Sequence, residues 1–280
     1  MAPTPDARQG WVRAADIMGT TVSIRVITED PASAPARAGD AVDRALARLR
    51  RADRVFSPFR ADSDISRMAR GELTAGDAAS EVREMADLCL RARSRTGGRF
   101  DAWRTGAFDP TGLVKGWAVE QAARHDLAPL LEDPLTAAVG ISAGGDMQLL
   151  TAPGADWVWG VGIADPFHRG SLISTLTLRE GAVATSGPAE RGRHITDPRT
   201  GEHVTGVASA TVVADRLATA DLWATVAVVA GPDDLSWIRD AGTISGLLVA
   251  EDGRCRRWAG SHVLDPARDE GGPLPGPAGP

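Results

Sequence analysis

Lysine is nearly missing from this chain of 280 residues: of its 31 basic residues only Lys115 is a lysine and the rest are arginines. A bias of that kind is compositional, so the one position that keeps a compact ammonium on a flexible stem, where a planar guanidinium would not fit, asks for a local reason. Lys115 stands before Gly116 and three residues after Gly112, which points to a crowded place. A surplus of positive charge is also lacking. The net charge of −6 excludes a general nucleic-acid binder, which needs lysine and arginine to neutralise phosphates. Cysteine occurs twice, at Cys89 and Cys255, far apart and in no CxxC spacing, so neither a zinc site nor a disulfide framework is indicated. One disulfide between the two stays open, while Cys89 on the apolar face of a predicted helix reads as a small buried hydrophobe. Nowhere do 18 apolar residues run together, and Met1 to Gly10 contains no apolar stretch, so the expectation is a cytoplasmic protein without a membrane span.

What is present is ordinary for a globular protein, with 43% hydrophobic and 24% charged residues. The length suits one α+β domain over residues 11–265, either compact or bilobed, behind a lead-in (1–10) and before a Pro/Gly-rich tail (266–280). The chain is strand-like from Trp11, and Thr21 to Val26 alternates polar and apolar. Helices are expected over 35–55 and 78–95, the second ending at Gly97-Gly98, and again from the turn at Pro110 to about Arg124. From Ala137 the pattern turns to strands, one from Val139 that runs into the Gly144-Gly145-Asp146 turn, then 157–163, 172–178, 182–186 and 207–213. A helix over 216–229, a short helix over 233–239 and a strand over 244–249 complete the chain.

Polar residues set among apolar ones mark the candidate chemistry. His194 to Gly201 reads His-Ile-Thr-Asp-Pro-Arg-Thr-Gly between two buried strands, and Ala220 to Thr225 puts Asp221 and Thr225 one turn apart on an apolar helix. Such groups cost free energy unless a ligand or a metal satisfies them, and a carboxylate with a hydroxyl suits Mg²⁺. Taken alone, each remaining motif has a plainer reading. Met18 in Met18-Gly19-Thr20 fills core, the pairs Phe100-Asp101 and Phe108-Asp109 are aromatic anchors with capping aspartates, and the Gly112 to Gly116 turn is a weak anion site. Thr185-Ser186-Gly187 lacks the first glycine and the strand-to-helix setting of a hydrolase elbow.

In their order these motifs resemble the ApbE-type flavin transferases, which are FAD:protein FMN transferases. The series comprises Met18-Gly19-Thr20, Phe56-Ser57-Pro58-Phe59 with Ser63-Asp64-Ile65, Gly98 to Asp101, Asp109 to Gly116, Gly144-Gly145-Asp146, Thr185-Ser186-Gly187, His194 to Gly201 and Ala220 to Thr225. The resemblance spans about residues 15–250. It implies a T-fold-like domain of antiparallel sheets packed by helices, and Mg²⁺-dependent cleavage of FAD. FMN would pass to a Thr or Ser hydroxyl of an acceptor flavoprotein, and AMP would leave. It further implies that Met18, Phe59, Arg99, Phe100, Asp101, Asp109, Lys115 and Val204 contact FAD. Gly112, Asp221 and Thr225 would hold the metal, and His194 would be the catalytic base. The chain departs from the family pattern at Phe59, where tyrosine is common, at Ser142 before the Gly-Gly-Asp turn, where asparagine is common, and in a short segment between the two Phe-Asp pairs. The alternatives are an FAD diphosphatase, with water replacing the acceptor hydroxyl, and a non-catalytic FAD-binding or carrier protein.

Overall fold

Period-two alternation of small and branched apolar residues builds the centre of the molecule. The computed structural model describes residues 9–188 and 195–264. Among these residues, nine antiparallel strands form one sheet in the order β1 (Gln9–Ile17), β2 (Thr20–Thr28), β3 (Thr136–Ala143), β4 (Asp146–Thr151), β7 (Gly181–Ser186), β8 (Val207–Ala214), β9 (Ser245–Ala250), β10 (Cys255–Ala259) and β11 (His262–Leu264). Successive side chains of a strand face opposite sides. Ile24, Val139, Ile141, Ala184 and Val212 accordingly join one apolar cluster, while Ala138, Leu149, Val183 and Val213 join another.

Helices cover the first face. They are α1 (Ala34–Phe56), α2 (Asp64–Ala69), α3 (Ser80–Arg95), α4 (Thr111–Ala122), α5 (Leu217–Ala230) and the four-residue α6 (Ile238–Ala241). The apolar stripe of α1, with Val42, Ala45, Leu46 and Leu49, packs inward, and α5 lies against α4, β7 and β8. On the opposite face β5 (Trp159–Ala164) and β6 (Leu172–Leu178) pair, among the described residues, only with each other, and Trp159 and Val161 close the second cluster. The fold is therefore α+β, with helices, sheet and hairpin in layers.

Several boundaries differ from those read in the sequence. β1 starts at Gln9, because Gln9 and Gly10 pair with Thr28 and Ile27, while the rest of the expected lead-in and the tail lie outside the described residues. Of the helix expected over 233–239 only the end forms. Asp234 instead accepts bonds from the N–H and hydroxyl of Ser236, a local turn that competes with helix. α4 gives way at Ala123 to a π turn, Ala123–Leu127, where buried Asp126 takes two bonds from Arg48 at 2.6 and 3.1 Å. Both cysteines are free, Cys89 buried and Cys255 exposed. No helix among the described residues is long and apolar enough to cross a membrane.

Candidate active site

The first turn of α4, the end of β7, the start of β4 and one side of α5 meet around a cavity of about 210 Å³. Helix α5 is buried on nearly every side, so its orientation decides where Asp221 and Thr225 point. Two side chains from other elements fix its first turn. The Gln148 amide oxygen accepts the Leu217 N–H at 2.9 Å, and Glu120, 1% exposed, accepts the Ala218 N–H at 3.1 Å and the Arg216 Nε at 2.6 Å. Otherwise orphaned N–H groups of a helix start are thus satisfied by an amide and a carboxylate, the second favoured also by the helix dipole.

Held in this way, α5 approaches α4 closely. The Gly116 N–H donates to Asp221 Oδ2 at 3.1 Å, and a Cβ on Gly116 would stand 2.9 Å from that oxygen and 3.0 Å from the Leu217 carbonyl. Lys115, next in the chain, extends between two carboxylates: its Nζ forms an ion pair with Asp146 and lies 3.4 Å from Asp221 Oδ1. Asp146 is delivered by the Gly144-Gly145 turn, whose φ angles of +60° and +95° favour glycine. Thr225 faces Ser186 at 3.1 Å between hydroxyl oxygens, and Thr185 pairs with Thr211 at 2.9 Å. The residue after this strand is Gly187, where a Cβ would lie 2.5 Å from the Ala208 carbonyl oxygen.

The opposite wall comes from the segment after α3. Arg99 ion-pairs with Asp234, whose carboxyl is held below the usual range first by the Ser236 hydroxyl and further by Arg99. Phe100 is buried with its ring against Gly112. Asp101 accepts the Trp103 N–H at 2.8 Å, and Asp109 accepts the Thr111 N–H at 3.1 Å and its hydroxyl at 2.6 Å. The two aspartates thus shape turns, as their plainer reading expects, and also line the cavity. Arg104 reaches over to Thr196 Oγ1 at 3.2 Å. That contact ties this wall to a small hairpin in which Thr196 bridges His203, Val204 donates its N–H to Ile195, and Asp197 is held low by the Arg199 guanidinium.

The cavity therefore gathers Arg99, Phe100, Asp101, Asp109, Gly112, Lys115, Asp221 and Thr225. Three other candidates do not line it. Met18 sits half-buried in the β1–β2 turn at φ +56°, a conformation that costs a non-glycine residue on the order of 1 kcal/mol, beside the Gly144 turn. Phe59 is 96% exposed on the loop after α1, and Val204 is half-buried in the hairpin. His194 lies outside the described residues, and Ile195 after it lines the cavity.

Among the lining residues that the sequence assigned no role are four with side chains able to bind or position a ligand, Arg104, Asp146, Thr185 and Ser186. The Gly-Gly-Asp turn and the Thr-Ser-Gly run signalled three of them. Nothing marks Arg104 among the other arginines.

An antiparallel sheet with helices on one face, opening on a cavity of oxygen donors and opposed charges, agrees with the similarities to known proteins. The sequence profile of the ApbE family matches residues 18–107 and 103–248, and the chain belongs to that family. It is 38% identical over 152 residues to an FAD:protein FMN transferase of Rhodobacter capsulatus, covering 49% of this chain and 28% of that protein. It is 25% identical over 315 aligned positions to an FAD:protein FMN transferase of Klebsiella pneumoniae (strain 342), covering 91% and 89%. Among solved structures, the ApbE protein of Thermotoga maritima superposes with a TM-score of 0.73 at 23% identity, over 89% of this chain and 97% of that one, which shows a shared fold.

Proposed function

We propose that this protein is an FAD:protein FMN transferase that uses Mg²⁺. One observation carries the reading: Arg99, Phe100 and Asp101, then Asp109, Gly112 and Lys115, and from far along the chain Thr185, Ser186, Asp221 and Thr225, line a single cavity. The donors fit the cation. A carboxylate, a hydroxyl and the backbone oxygen of Gly112 are all hard oxygen ligands, few enough to leave positions for water and phosphate. Asp221, Thr225 and Gly112 would hold Mg²⁺, which when bound offsets negative charge on the diphosphate oxygens.

The chain's own residues supply the rest. Lys115 and Arg99 place positive charge on the cavity wall, where a diphosphate would be held and its leaving group stabilised. Phe100 and the exposed ring of Phe59 offer aromatic faces, and the strained backbone at Met18 and the half-buried Val204 complete the proposed FAD contacts. Asp101 and Asp109 hold the turns that carry these groups. His194 is the proposed base: it takes the proton as the acceptor Thr or Ser oxygen forms a bond to the FMN phosphorus, while the P–O bond to AMP breaks.

Incubation with FAD, Mg²⁺ and a protein carrying a flavinylation site tests this. AMP release with a flavin-labelled acceptor is expected. AMP with only free FMN would instead mark a diphosphatase, and tight FAD binding with neither product a carrier. His194→Ala should retain FAD and lose about 10²- to 10⁴-fold in transfer rate, and undiminished labelling would remove His194 from the mechanism.

A further inference from the structure

Asp146 is a buried carboxylate of the cavity wall to which the reaction above gives no task. It is 2% exposed, and isolated buried charge is costly enough that an apolar residue would serve the fold better. Its two oxygens are divided between two partners. Oδ1 accepts the Thr185 N–H at 2.9 Å, which fixes the carboxylate plane, and Oδ2 forms the ion pair with Lys115.

Asp221 is divided in a parallel way. Its Oδ2 accepts the Gly116 N–H at 3.1 Å, leaving Oδ1 as the oxygen not committed to backbone. That oxygen is the one 3.4 Å from the Lys115 ammonium. A single ammonium thus stands between two carboxylates, closer to Asp146 than to Asp221. An ammonium on a four-carbon stem moves readily to the stronger partner. Without Asp146, the remaining partner is the oxygen that a divalent cation would use.

We infer that Asp146 is a positioning residue: it holds the Lys115 ammonium off Asp221, so that Asp221 Oδ1 is left for a divalent cation while the ammonium stays on the wall facing an anionic substrate. The inference rests on the reading of Asp221 as a metal ligand. It requires that the effect of removing the Asp146 charge depend on Lys115, whereas a merely structural or long-range role would act alike with or without the lysine.

Titration of the FAD-free protein with Mn²⁺, followed by calorimetry or electron paramagnetic resonance, reads this without any turnover. Asp146→Asn keeps an acceptor for Thr185 and should weaken Mn²⁺ binding about tenfold beside Lys115, but about twofold or less in the Lys115→Met background. Equal penalties in the two backgrounds would overturn the role of Asp146, even where Asp221→Asn abolishes binding and so upholds the metal seat. A wild-type protein that binds no Mn²⁺ would overturn both. If Asp146→Asn does not fold, Asp146→Ser repeats the cycle with an oxygen still available to Thr185.

Discussion

Cys89 shows how strongly this interior discriminates between like groups. Its thiol is fully buried and pushed up to about 12, first by burial and then by the negative charges of Asp109 and Asp101 on the cavity wall. The thiolate is the reactive form, so at pH 8 only about one Cys89 in 10⁴ carries it, and the side chain is also inaccessible. A disulfide reagent at pH 8 should therefore modify one thiol per native chain, Cys255, and reach Cys89 only after denaturant is added. Two thiols reacting at similar rates in the native protein would contradict the packing around α3. The sign of the linkage is also fixed. A folded-state pKa raised above the ordinary 9.0 contributes stability that is whole below pH 9 and is lost as pH rises toward 12.

At the level of elements, the placement of Asp221 and Thr225 depends on how α5 begins. Its N-cap, Arg216, makes no side-chain cap bond, and Gln148 and Glu120 take that role from β4 and α4. Glu120→Ala leaves a helix N–H without its acceptor in a buried setting. That should cost about 1–3 kcal/mol, measured by urea unfolding with the slope unchanged. A loss below about 0.5 kcal/mol would mean that the helix start does not need the carboxylate. The sequence shows the existence of α5 through its run of apolar residues, and of α1 and α3 through their stripes. It does not show β4 or β10, because Asp146, Gln148, Arg256 and Arg257 break the apolar alternation. Gln148 is nonetheless buried, since its amide donates to two carbonyls and accepts one N–H, a condition that appears only once β7 and α5 are beside it.

Across the whole molecule, the site was legible where short motifs carry their own chemistry and illegible where long-range packing decides. The Asp221 and Thr225 spacing, the Lys115 turn and the Phe-Asp pairs could be read singly. Their meeting in one cavity follows from the approach of α4 to α5 through Gly116. Arg104 gave no signal because its partner, Thr196, is 92 residues away in the chain. The same dependence on packing sets the hairpin β5–β6 apart. It shares no backbone ladder with the nine-stranded sheet and is attached by side chains, Trp159 and Val161 with half-buried Leu176 and Leu178. Such a unit can lift away while the large sheet stays paired, so its opening costs less than global unfolding. Backbone deuterium uptake should accordingly reach completion in residues 159–164 and 172–178 well before it does in β3, β7 and β8. Uptake in step with those strands would show that the hairpin and sheet open as one. On the expected outcome the layer behind the sheet comes loose on a clock of its own, leaving the cavity on the helical side undisturbed.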